Sequence, residues 1–235
     1  MKTPLQGIYG RLYIKYYNVM KVTKLQHLGA AVAGLIFVCA AASCSKAPKF
    51  IGTWTATAPT SLQSVIPAAS SATQLVSLDF LSGDDEKSGP MVFTSLIEAS
   101  QPVQGDSASF VQPYQANISG TAVINGTWTY AGDDHDDLII SYDLSTLKVA
   151  VDPQGVSFSE NLLTGAQQPM VDSLTAATAA IWQTQLTAAV KAELQNWSSL
   201  DDVKIENDGN LMKLEIKNAA GKDVDVNFRR VLGEK

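Results

Sequence analysis

The chain has 235 residues, a formal net charge of −6 and a hydrophobic content of 46%, enough for one well-packed domain and marginal for two. The charge is uneven: residues 1–43 hold five basic residues (Lys2, Arg11, Lys15, Lys21, Lys24) and no acidic one, so the 192 residues from Cys44 onward carry a net charge of −11. A surface of that sign, without a basic patch interleaved with aromatics, repels phosphate backbones, and nucleic-acid binding is not expected.

Leu28 to Ala42 is almost wholly apolar or small. It is short for a bilayer span, which needs about 20 apolar residues. With Lys21 and Lys24 ahead of it and small residues behind, it has the layout of a secretory signal. The stretch Ala41-Ala42-Ser43-Cys44 resembles the bacterial lipobox, in which the cysteine becomes the lipid-bearing N-terminus. Position 41 departs from that pattern, where a larger aliphatic is commoner. The expected organisation is a signal peptide over 1–43, a tether over 44–49 and a barrel domain over 50–235, with lipid attachment at Cys44. A leader beginning at Met20 has more ordinary proportions than one beginning at Met1, so Met20 is the expected start. Cys39 leaves with the leader, so no disulfide framework or cysteine metal site is expected. The tether lacks the acidic run often found on surface-displayed lipoproteins of Bacteroidetes-type bacteria. That favours an outer-membrane anchor with the domain facing the periplasm, surface exposure being the alternative.

Phe50 to Thr57 is β-branched, aromatic and small, and reads as a strand. Pro59 to Thr73 reads as a loop with one helical turn over Leu62–Ile66. From Gln74 to Leu81, Val76, Leu78 and Phe80 alternate with polar residues, as in a half-buried strand. After the polar turn Ser82–Gly89, Met91 to Ile97 resumes strand character, which makes a hairpin. Gln101 to Gln112 is loop-like. Tyr114 to Tyr130 reads as one long bent strand or two short ones, with Gly120 and Gly126 as candidate bulges. Leu138 to Tyr142 is a strand, and a further alternation through Leu147, Val149 and Val151 ends at Asp152-Pro153.

The period changes after Pro169. Val171, Leu174, Thr178, Ile181, Trp182, Leu186, Ala189, Val190 and Leu194 recur at three- and four-residue steps, which predicts an amphipathic helix over about 173–195 lying against the domain. Strands then return: Val203 and Ile205, then Met212, Leu214 and Ile216, then Val224, Val226 and Phe228. Turns at Asn207–Asn210 and Asn218–Gly221 separate them.

Gly52-Thr-Trp54, its echo Gly126-Thr-Trp128, and Asn227-Phe-Arg-Arg230 resemble the lipocalin-like lipoproteins of Bacteroidetes-type bacteria. The resemblance implies a mainly β, antiparallel lipocalin-like β-barrel, here with the helix inserted before the last three strands. It also implies closure of one barrel end by Trp54 under a basic residue of the last strand. Parity alone supports that pairing: Arg230 points the same way as Val224, Val226 and Phe228, and the face of Trp54 offers it a partner.

Catalytic signals are weak. His135 is the sole histidine after the leader, and no G-x-S-x-G motif accompanies it. The cluster Asp133–Asp137 reads as a charged hairpin tip rather than a metal loop, and Asp84-Asp85-Glu86 as a solvated turn. Neither enzyme activity, a metal nor a cofactor is expected. Asp106-Ser-Ala and Asp172-Ser-Leu resemble O-glycosylation signals of Bacteroidetes-type exported proteins. Trp182 and Trp197 either plug the barrel or cover its mouth. Two functions remain: binding a small apolar ligand such as a lipid inside the barrel, or acting as a protein- or glycan-interaction module with a filled barrel. The membrane is a partner through the lipid; a protein partner is not identified.

Overall fold

Alternating apolar and polar residues along three long strands set the architecture. β3 (Ser71–Phe80), β4 (Ser88–Val103) and β5 (Tyr114–Ala131) form an antiparallel meander. A computed structural model describes residues 51–84, 87–103, 114–131, 137–158, 168–218 and 221–231. Along β3, Ala72, Gln74, Val76, Leu78 and Phe80 are buried, and every second residue between them is partly exposed. The remaining strands are β1 (Gly52–Ala56), β2 (Thr60–Ser61), β6 (Asp137–Tyr142), β7 (Lys148–Phe158), β8 (Ser199–Glu206), β9 (Leu211–Lys217) and β10 (Asp223–Arg230). One helix, α1 (Gln168–Glu193), precedes β8.

The described residues form a closed antiparallel barrel of eight strands. Its ring runs β1-β10-β9-β8-β6-β5-β4-β3, and β1 closes it by pairing with both β10 and β3. β2 and β7 lie off the ring: β2 extends the edge of β3, and β7 pairs with the N-terminal half of β5. β5 therefore serves two neighbours. Its C-terminal half, from Gly126, pairs with β6, and its N-terminal half, up to Val123, pairs with β7. The sheet forks there, and the β6–β8 seam is short, with Leu138 opposite Leu200 and Ile139 opposite Ser199.

The helix fills the fork. Ala179, Trp182, Leu186, Ala189, Val190 and Glu193 form its buried face, packed chiefly on β7 and also on β5. Gly120 permits the approach, because a Cβ there would sit 2.8 Å from Leu186 Cδ1. Gln183 covers the outer edge of β7: its side-chain Oε1 accepts from the Val151 N–H at 2.9 Å, and its Nε2 donates to the Val149 carbonyl. An amide thus takes the place of a neighbouring strand on an otherwise open edge.

The expected boundaries shift for identifiable reasons. The helix begins at Gln168 rather than Ser173, because Pro169 falls in the first turn, where its missing N–H has no partner to lose. It ends in tighter turns after Glu193, with the Asn196 N–H on the Glu193 carbonyl at 2.9 Å and the Trp197 N–H on Leu194 at 3.2 Å. Ile181, expected in the apolar stripe, is 58% exposed. β7 does not stop at Pro153. Its register jumps from Val151 opposite Gly120 to Val156 opposite Ile118, so residues 152–155 bulge out and accommodate a proline without an N–H. Tyr114 to Ala131 is one continuous strand. Residues 1–50, including Cys44, lie outside the described residues, as do Asp106 and Asp133–Asp136. No helix among the described residues is long and apolar enough to cross a membrane.

One end of the barrel is tied by Arg230. Its Cζ lies 4.4 Å from the centroid of the Trp54 ring. Its Nε donates to the Gly209 carbonyl at 2.7 Å and its Nη1 to the Ile51 carbonyl at 2.8 Å. Gly52, between Ile51 and Trp54, has φ +129°, and a Cβ there would lie 2.9 Å from Arg230 Nη1. Both the backbone angle and the close approach call for glycine. Arg230→Ala removes a cation–π contact and two charged hydrogen bonds, and should cost about 2 kcal/mol in urea unfolding. Arg230→Lys should restore less than half of it, because an ammonium lacks the planar fork. A cost below about 0.5 kcal/mol for the alanine variant would contradict this role.

Candidate functional site

The expected closing residues, Trp54 and Arg230, meet at one end of the barrel, where Trp54 is fully buried opposite Arg230 in the β1–β10 register. Trp128 is also fully buried; its Nε1 donates to the Leu81 carbonyl at 2.9 Å and its ring meets Phe80 edge-on at 6.2 Å. Both tryptophans are packing residues. Burial holds the Arg230 guanidinium somewhat below its ordinary value.

The interior beyond them is filled with aromatic rings. Trp197, just past the helix, is fully buried and packs edge-on against Phe93 (5.8 Å) and Phe228 (6.2 Å). Phe93 also meets Tyr142 at 5.9 Å, and the Tyr142 hydroxyl donates to the Trp197 carbonyl at 2.9 Å. Burial pushes the Tyr142 phenol far above its usual value, so it stays a neutral donor. Each edge-on ring pair adds roughly 0.5–1.5 kcal/mol beyond the area it buries. Of the two expected roles, Trp197 takes the filling one, while Trp182 is buried on the face of the helix that packs on β7 and β5.

A cavity of about 360 Å³ remains at the end opposite Arg230. The segment from Thr57 to Ser64, the end of α1, and the β9–β10 hairpin form its walls. Ile216, Val224 and Val226 supply an aliphatic side. Val224 has the inward parity of Val226 and Phe228 but sits at the rim, 36% exposed. Glu193 and Asn196 supply the polar side, and the lining contains no lysine or arginine.

Glu193 is only 6% exposed. Its Oε1 accepts from Gln74 Nε2 at 3.3 Å and Trp197 Nε1 at 3.2 Å, and its Oε2 from Asn196 Nδ2 at 2.9 Å. Gln74 Oε1 in turn accepts from the Ser95 hydroxyl at 2.8 Å. Glu193 makes no ion pair among the described residues. Burial raises its pKa above the ordinary glutamate value, and the Asn196 and Trp197 hydrogen bonds partly offset that.

Sequence reasoning missed this network, although it left a signal. Gln74 has the inward parity of Val76, Leu78 and Phe80; Ser95 has that of Phe93 and Ile97. Glu193 follows Leu186 and Val190 at helical steps on the apolar face. Each is a polar residue in an apolar pattern, and buried polar groups need partners.

Because Glu193 holds its proton to higher pH in the folded chain than in the unfolded one, it contributes stability at low pH that is lost as pH rises through its raised folded value. Glu193→Gln cannot ionise, so its melting temperature relative to wild type should climb from about pH 4 upward. A difference in melting temperature that does not change with pH would refute a titrating Glu193.

Compared with known proteins, the chain matches no protein family model, and no curated protein is similar to it in sequence.

Proposed function

We propose that this protein is a lipid-anchored, non-catalytic binding module of the bacterial cell envelope, with a lipocalin-like barrel that recognises its partner at the rim rather than in an internal calyx. The observation that carries this reading is the cluster of Trp197, Phe93, Phe228 and Tyr142 rings inside the barrel. An apolar ligand inside the barrel would have to displace Trp197 from Phe93 and Phe228 and the helix from the fork. An eight-stranded barrel is narrow enough for side chains to fill it, and the ring cluster among the described residues supports a filled interior. That favours an interaction module over a carrier of a lipid.

Anchoring rests on the lipobox-like Ala41-Ala42-Ser43-Cys44 after an apolar leader, and the periplasmic side of the outer membrane on the polar, non-acidic tether that follows. The non-catalytic reading rests on the absence of a nucleophile motif and on His135 being the sole histidine from Cys44 onward.

Two outcomes are expected. Mass spectrometry of the protein from its envelope should find an acylated N-terminal Cys44, and Cys44→Ser should abolish both the acylation and membrane fractionation. Native mass spectrometry should detect no further lipid held by the barrel; a stoichiometric apolar molecule released only on unfolding would overturn the filled-barrel reading.

A further inference from the structure

We propose that the cup over Glu193 binds an alkylammonium group: a protonated amine on a short aliphatic stem. The assignment rests on the reading of the barrel as a filled module that recognises partners at its rim, and it adds the chemistry of what is recognised.

The carboxylate is incompletely satisfied. An ionised carboxylate offers about four acceptor positions. Three N–H donors use two on Oε1 and one on Oε2, which leaves one on Oε2. All three donors are neutral amide or indole groups, so a buried negative charge has hydrogen bonds but no counter-charge among the described residues. Such a charge is costly unless paired, and a bound cation would supply the pair.

Two more features of the wall agree. The hydroxyl Oγ1 of Thr60 is buried without a hydrogen-bond partner among the described residues, and Thr60 lines the same cavity as Glu193. An ammonium has three donors and no acceptor, and could use both oxygens. The lining also contains no lysine or arginine that would repel a cation. Anionic ligands are disfavoured for the same reason.

The opposite wall selects the stem. Ile216 and Val226 are nearly buried, and Val224 stands at the rim with 36% of its surface exposed. A chain of a few methylenes laid on these three residues would cover them from water while its ammonium reaches Glu193. The volume of about 360 Å³ suits a short ligand, being near the lower end of small-molecule sites, roughly 300–1,000 Å³. A free diamine and the side chain of a lysine on a partner protein share this chemistry.

The test is a titration of the full-length protein in detergent with 1,5-diaminopentane, followed by calorimetry and by the NMR signal of the Trp197 indole N–H. Saturable binding with a Kd of roughly millimolar or tighter is expected, with a shift of the indole proton, because Trp197 donates to the carboxylate that would be engaged. Glu193→Gln should weaken binding roughly 30-fold or more, and Thr60→Val by about threefold. Should Glu193→Gln fail to fold, the wild-type indole shift and Thr60→Val still decide the matter. Nα-acetyl-lysine methylamide binding better than the diamine would support the proposal with a protein-borne source; the reverse order would support it with a free amine. No saturable binding of either amine, an unmoved indole proton, equal binding of 1,5-pentanediol, or unchanged affinity in Glu193→Gln would each overturn it. Native mass spectrometry reports on the interior and this titration on the cup, so the two readings fail separately.

Discussion

The fork at β5 is the constraint on which the rest depends. A strand in a sheet must satisfy hydrogen bonds along both edges, and β5 is too long for β6 to satisfy one edge alone. β6 takes the C-terminal half and β7 the other. Two strands that leave the same edge must diverge, and divergence opens a gap in the wall. The gap exposes apolar groups of β5 and β7, and a long helix with one apolar face is what covers them. Because α1 lies between β7 and β8 in sequence, covering the gap also delivers the chain to the last three strands. Helix, short β6–β8 seam and barrel closure are therefore parts of one solution.

The same geometry decides what the barrel can hold. The turns after Glu193 place Trp197 among Phe93, Phe228 and Tyr142. Those rings occupy interior space, which is what supports the proposed reading as a filled module. What space remains lies outside this layer, between the helix end and the β9–β10 hairpin. The floor of that space is a carboxylate because the residue one turn before Trp197 is Glu193. Its carboxylate is held by the indole N–H of Trp197, so the plug and the polar floor form one hydrogen-bonded unit.

The two ends of the barrel show how differently a buried charge can be managed. At one end Arg230 is stacked on Trp54 and donates to two backbone carbonyls, so its charge is spread over fixed dipoles. At the other, Glu193 receives three neutral donors and retains an open acceptor position. The first arrangement is complete in itself and serves closure. The second leaves an acceptor position unused, and the proposed amine site rests on that incompleteness.

Strand pattern and helix period were legible from the residues themselves, because side-chain alternation is local: the inward parity of Val76, Leu78 and Phe80, the alternation of Met212, Leu214 and Ile216, and the helical spacing of Trp182, Leu186 and Val190 follow from backbone geometry. The meeting of Arg230 with Trp54 was legible too, since parity turns Arg230 the way of Val224, Val226 and Phe228 and the resemblance carried by Gly52-Thr-Trp54 implies Trp54 as its partner. The fork was not, because nothing local says which of two following strands will pair with which half of β5. Nor was the network behind the cup, whose polar residues Gln74, Ser95 and Glu193 come from two strands and a helix far apart in the chain. Local periodicity determines what each segment is; long-range packing alone determines which polar residues it encloses together, and there the candidate function lies.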